Sequence, residues 1–366
     1  MSKIVKAQAD EITLTNDDPS WRYALGAASS YRGLLLRLES DLGTVGWGYG
    51  KDYHPRDVTF SYVKGAFDAG VKMIVGEDCD QFGTLAGRLE SVHEIAHCQV
   101  VVQAFEMAVL DIVAQEHALP LAGLLGGVRR TRIPILRILS LKEPSEVAGG
   151  AKQLVADGIR YLKIKLENHP LADDVARVFA VREAVGPDVH LSVDANQTYD
   201  AKSAIRFCRL VEDAGIELFE QPVPASDFRA LKFVKDEVGC LVEANEAARS
   251  LLSLRTLIEL DAIDSVNIGI EAFGLRGMFE AASLCDAFGV KVRLGVHLGP
   301  RVFVASAAHI AAALPTLSFA SELGEFERLA NDPSDPLEII DGELVLPTVG
   351  GIGLSGKSAA QASAAT

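Results

Sequence analysis

The chain has 366 residues, 49% hydrophobic and 23% charged, which is enough for two domains with a sizeable core and too regular for a disordered or fibrous protein. With 35 Lys and Arg against 50 Asp and Glu the net charge is −15, which repels nucleic-acid phosphates and anionic membrane surfaces and leaves small molecules as the expected partners. The five cysteines, Cys79, Cys98, Cys208, Cys240 and Cys285, form no CxxC pair, so neither a disulfide framework nor a thiolate zinc site is suggested. No leader-like N-terminus or apolar run of about 18 residues is evident, and a cytoplasmic location without membrane attachment is expected.

Residues 32–50 (RGLLLRLESDLGTVGWGYG) read as a hairpin turning at Asp41 to Gly43. From Pro55 to Glu116 apolar residues recur at steps of three and four, which predicts helices. A boundary is placed near residue 128. Beyond it, short apolar runs alternate with helical patterns about every 25 to 30 residues. The runs are IPILRIL, YLKIKL, VHLSVD, IELFE, CLVEANE, AIDSVNI, VKVRLGVH and LSFASE. Strand-helix units repeated in this way close into a parallel barrel whose chemistry sits at the strand ends. The expected organisation is an α+β capping domain (1–127), a modified (β/α)7-8 TIM-type barrel (128–325), and a segment (326–366) that returns to the capping domain and ends in a flexible tail.

Three acids close consecutive strand patterns, Asp194 in LSVDAN, Glu220 in LFEQP and Glu246 in VEANE, each 26 residues from the last. Equal spacing predicts one shared rim. Carboxylates about 4 Å apart in a partly dry site repel strongly unless a cation lies between them. An all-oxygen donor set selects Mg²⁺ over zinc or copper. One unit earlier, Lys163 and Lys165 stand two apart in YLKIK and therefore share a strand face. Adjacent ammonium groups are expected to depress each other's pKa and make one a usable base. His297 closes VRLGVH and offers a second acid or base.

These residues resemble the enolase superfamily, in its mandelate racemase/muconate lactonizing enzyme family. The shared features are the segment AFEMAVLDIVAQEHALPLAGLLGG, the KIK pair, DAN, EQP, ANE, the late histidine and PTVGGIGL. Glu246 as third ligand looks like the mandelate racemase branch, whereas the muconate-lactonizing branch has Asp where this chain has Asn245. The resemblance implies that Lys165 moves the α-proton on one face with Lys163 assisting electrostatically. It also implies that His297 works on the other face and that Glu322, in SFASELGEF, helps hold the enolate oxygen. The chain departs from the family at the sixth strand. There Asn267 replaces the aspartate that normally orients the histidine, and the run contains no lysine.

An amide cannot stabilise an imidazolium as a carboxylate does, so His297 is expected to donate a proton to a leaving group. The reaction expected is dehydration of a hydroxy acid or acid sugar, with racemisation, epimerisation or cycloisomerisation of a carboxylate as the alternative. A non-catalytic barrel is a third reading. Substrate residues are sought in Trp21, Tyr23 and Tyr49, in the segments Trp21 to Ser30 and Tyr49 to His54, and in Asn196 and Arg137. Family analogy suggests a homo-oligomer, from dimer to octamer. Two motifs mislead. HEIAH (His93 to His97) matches a zinc-protease helix but has no further ligand pattern, and GIGLSGKS (351–358) matches a phosphate loop with no nucleotide fold behind it.

Overall fold

The GWGYG stretch explains how the first layer is built. In a computed structural model describing residues 2–357 apart from 25, 28, 53–58 and 97, strands Ile4–Asn16, Ser30–Ser40 and Val45–Lys51 form an antiparallel sheet. The last two are the predicted hairpin. A side chain at Gly46 or Gly48 would overlap the carbonyl of Ala108 or Ala104, so the glycines let helix Gln99–Glu116 lie directly on the strand. That helix is buried on every side from Val100 to Ala114, between the sheet and the second domain, which is why its apolar residues show no single stripe. Helices Phe60–Ile74 and Phe82–Glu90 complete the cap.

The second domain is a seven-stranded, all-parallel curled sheet in sequence order. Its strands are Leu136–Leu139, Tyr161–Lys165, His190–Asp194, Leu218–Glu220, Leu241–Ala244, Ser265–Gly269 and Lys291–Gly295. The eighth run forms no strand of its own. Ser321 bridges to Ile135 and Glu322 to Gly295, so this short segment joins the first strand to the seventh and brings Glu322 to the rim. Buried apolar residues such as Ile164, Val193, Phe219, Val242, Ile268 and Leu294 pack under the helices, and residues facing the barrel axis alternate with them.

The C-terminal segment divides its contacts. Leu329–Ala330 pairs with the first capping strand, while Ile339–Ile340 and Glu343–Val345 form a hairpin on Arg132–Pro134. Further on, Ile352 donates its amide to Asp111 of the capping helix (2.9 Å). Among the described residues no helix is long and apolar enough to cross a membrane.

Candidate active site

Strand register sets the site. Lys165 lies beside Asp194, Asp194 beside Glu220, and Glu220 beside Glu243 on adjoining parallel strands, so charged side chains of four strands share one level of the axis. All are buried. Lys165 Nζ bonds to Asp194 Oδ2 and to Asn196 Oδ1 (2.9 Å). Lys163 Nζ lies 2.8 Å from Glu220 Oε2 and 3.6 Å from Asp194 Oδ2, and also donates to Glu322 Oε1. Burial pulls the Lys163 pKa down, but Glu220, Glu322 and Asp194 together drive it above the ordinary lysine value. The expected mutual depression of the two lysines is therefore reversed for Lys163. It is a fixed cation, because more carboxylates than ammonium groups surround it.

Glu246 does not share that level. It sits in the turn after Leu241–Ala244, beyond the register partner of Glu220, which is Glu243. Asn196 Nδ2 donates to its Oε1 (3.2 Å), while Oε2 is buried with no hydrogen-bond partner among the described residues. Burial raises its pKa, and the nearby charges of Asp194 and Glu220 raise it further. Repulsion among three acids and an orphaned buried oxygen is the pattern that a hard divalent cation relieves. Among the described residues no three such groups already stand at ion-binding separations, because Lys163, Lys165 and Arg293 draw Asp194 and Glu220 toward themselves. The donor chemistry nevertheless fits Mg²⁺, which Asp194, Glu220 and Glu246 could hold.

Sequence reasoning missed Arg293 and Glu243. Arg293 is 2% exposed and its Nη2 bonds to Glu220 Oε2 (2.6 Å) and to Glu243 Oε2. Glu243 also accepts from Ser265 Oγ (2.8 Å), and burial pushes its carboxyl up to about 8 against the pull of Arg293. A basic residue in the interior of the strand KVRLG, past its exposed first lysine, was the available signal.

The partner expected for His297 is wrong. Asn267 Nδ2 donates to Glu220 Oε1 (3.1 Å) and Glu322 Oε1 (2.7 Å), inside the barrel and away from the imidazole. Glu271 holds the histidine instead, with its Oε1 3.1 Å from His297 Nδ1 and 2.8 Å from the His297 backbone nitrogen. The sixth strand runs two residues past Asn267 to Gly269, so the acid reaching the rim is the second residue of helix Ile270–Phe288. Burial raises the Glu271 pKa, but His297 and then Lys51 bring it below the ordinary value.

A cavity of about 110 Å³ opens on this rim. Trp21, Tyr23 and Asn196 line it, as do His297, Glu322 and Lys51 of the capping sheet, which falls within the segment Tyr49 to His54 where substrate residues were sought. A larger cavity, about 430 Å³, lies elsewhere, between Ile216 and Cys240, and holds none of these rim carboxylates or lysines. Two expected substrate residues fall outside the rim cavity. Tyr49 is fully buried, its ring laid across Gly33 and edge-on to Phe303 at 5.3 Å. Arg137 is spent on Glu325 (3.2 Å) and Glu327. His54 lies outside the described residues. HEIAH is not on a helix: residues 93–96 form a turn between Phe82–Glu90 and Gln99–Glu116, and His97 lies outside the described residues. The phosphate-loop match opens no helix among its described residues.

A strand-ordered parallel sheet under an α+β cap, with acids and lysines converging on one rim, defines an enolase-type barrel. Family models agree: "Mandelate racemase / muconate lactonizing enzyme, N-terminal domain" matches residues 10–126 and "Enolase C-terminal domain-like" matches residues 146–360. The chain belongs to the mandelate racemase/muconate lactonizing enzyme family of the enolase superfamily. It is 31% identical over 299 residues to an L-Ala-D/L-Glu epimerase of Clostridium acetobutylicum, covering 80% of this chain and 82% of that protein. A hydrophobic dipeptide epimerase of Enterococcus faecalis is 28% identical, with 97% and 95% covered. The crystal structure of a dipeptide epimerase from Enterococcus faecalis, complexed with Mg and the dipeptide L-Leu-L-Tyr, superposes with a TM-score of 0.90 at 26% identity, covering 96% of this chain and 99% of that one.

Proposed function

We propose that the protein is a magnesium-assisted isomerase that removes and returns the proton α to a carboxylate, as a racemase or epimerase does. The observation that carries this reading is the Glu271–His297 pair. The expectation of dehydration rests on an amide orienting His297, and that premise falls with Glu271 in the role. A carboxylate whose Oε1 lies 3.1 Å from the ring Nδ1 orients the imidazole as a group that can both give and take a proton. The relatives' names, epimerases among them, point the same way.

In this reading Asp194, Glu220 and Glu246 hold Mg²⁺. When bound, the ion supplies Lewis-acid stabilisation of the charge that proton removal places on the substrate carboxylate. Lys165, in its amine form and steered by Asn196, takes the α-proton on one face. Lys163, fixed between Glu220 and Glu322, adds positive charge beside the developing anion without moving. His297 serves the opposite face. Trp21 and Tyr23, with ring centroids 5.7 Å apart, roof the cavity and exclude water.

The test is exchange in deuterated water with magnesium, using NMR to follow a panel of small hydroxy acids, amino acids and acid sugars. The protein should wash deuterium into the α position and return the inverted acid. Lys165→Ala should abolish both. His297→Asn should cut inversion by roughly 10²–10⁴-fold while one enantiomer still exchanges. Accumulation of a keto acid with no inverted acid would replace isomerisation by dehydration.

A further inference from the structure

Lys51 ends the capping strand Val45–Lys51, yet its side chain lines the rim cavity and is only 7% exposed. Lysine is rarely buried without a specific purpose, because its ammonium is costly to desolvate. Its surroundings identify the side of the cavity it serves. Its Nζ lies 4.8 Å from the Tyr31 ring centroid, over the ring, and the carboxylates that act on it are Glu271 and Asp52. Asp52 is already engaged by Arg32 Nη2 (2.8 Å), so Glu271, the partner of His297, is the acid that relates Lys51 to the rim. Glu271 follows the sixth strand, four places round the sheet from the strand carrying Lys165. The last residue of that sixth strand is Gly269, which puts no side chain into the cavity; a Cβ there would lie 3.5 Å from Glu271 Oε2. Among the described residues that line the cavity, the second barrel strand supplies Lys163 and Lys165, and the cap supplies Lys51 on the Glu271 side.

Beside its charged and polar groups the cavity wall carries Trp21, Tyr23, Tyr31, Val296 and Leu298, of which Tyr31 lies under the Lys51 ammonium. The cavity's 110 Å³ lies well below the roughly 300 Å³ at which pockets for larger ligands begin. It suits an acid the size of a single amino acid. From this arrangement we infer that Lys51 is a specificity-determining residue, whose ammonium binds a second oxygen function, a hydroxyl or carboxylate, of a small α-acid whose first carboxylate lies at the rim acids. This rests on the α-proton reading of the same site. Burial lowers the Lys51 pKa to about 8, against the pull of Glu271 and Asp52, in keeping with an ammonium more dependent on its anionic neighbours than a surface lysine is.

Matched acids that differ by one oxygen function test the inference: lactate against glycerate, alanine against serine, butyrate against succinate. For each, α-deuterium exchange with magnesium is measured by NMR, and the shift in melting temperature is measured at equal acid concentration. The wild-type chain should favour an oxygen-bearing acid over its partner by about tenfold or more in kcat/KM and show the larger thermal shift with it. Lys51→Met, and Lys51→Gln should Met prove insoluble, should bring that ratio close to one through KM, and Lys51→Arg should restore part of it. Wild-type exchange without such a preference overturns the role of Lys51, and so does a preference that survives in Lys51→Met. Equal losses on both members of a pair also overturn it, because Lys51 would then serve only as the counter-ion of Glu271. Exchange from none of the acids in the wild-type chain defeats the α-proton reading and the Lys51 assignment together.

Discussion

Asp111 shows what a buried carboxylate does when no cation among the described residues acts on it. It is fully buried in the capping helix and accepts the amides of Trp47 (3.0 Å) and Ile352 (2.9 Å), tying strand and C-terminal segment to one side chain. Burial pushes its carboxyl up to about 7, and those hydrogen bonds only moderate the rise. A folded-state pKa above the unfolded value of about 3.9 means the folded chain binds the proton more tightly. The associated stability is complete below about pH 4 and is lost as pH rises toward 7. Melting curves at steps between pH 4 and pH 8 should therefore show a decline that is smaller in Asp111→Asn; an equal slope in both chains would refute it. The rim residues divide by how visible they are in sequence. Lys163, Lys165, Asp194 and Glu220 could be read because strand alternation and unit spacing fix where they point. Glu271 could not, because it belongs to a helix start whose position depends on how far the sixth strand runs. Arg293 and Glu243 were hidden for a different reason: each satisfies the other across strands 50 residues apart, a pairing that neither run shows by itself.

At the scale of elements, the join between cap and barrel rests on a break inside helix Ile270–Phe288. Gly274 has φ 66° and ψ 178°, a conformation essentially confined to glycine, and the break aims the amide of Leu275 at Glu106 Oε2 (2.9 Å). Arg276 Nε completes the clasp on Glu106 Oε1 (2.7 Å). A Cβ at Gly274 would stand 2.8 Å from that same carboxylate oxygen. Gly274→Ala should destabilise the protein by about 1–3 kcal/mol, lowering its melting temperature by several degrees in calorimetry. The elements most legible in sequence were those with a long period. The capping helices and the seven strands repeat often enough to be seen. Short-range pairings decided the rest. LSFASE reads like an eighth strand but forms only two bridges, and IPILRIL divides at Ile135 because its first half pairs with the C-terminal hairpin.

For the whole molecule, the balance of charge at the rim makes a thermodynamic prediction. Magnesium should raise the melting temperature, by an amount equivalent to about 2.7 kcal/mol at a hundred times its Kd, and a chelator should reverse the gain. Glu246→Gln should abolish the metal-dependent shift. Without metal it should cost little stability or add some, since it removes a carboxylate that Asp194 and Glu220 repel. A magnesium shift undiminished in Glu246→Gln would take that residue out of the donor set.

The Glu106 clasp has one more consequence. Because it fastens the capping helix to a barrel helix through a buried carboxylate, the two domains have no hinge at that join, and substrate entry falls to the short segments of the cap that reach over the rim. Trp21, Tyr23 and Lys51 are carried there, while every acid proposed to hold the metal comes from the barrel. In the proposed reading, selection among substrates and the chemistry performed on them draw largely on separate pieces of chain, so that the first can be rewritten with little disturbance to the second.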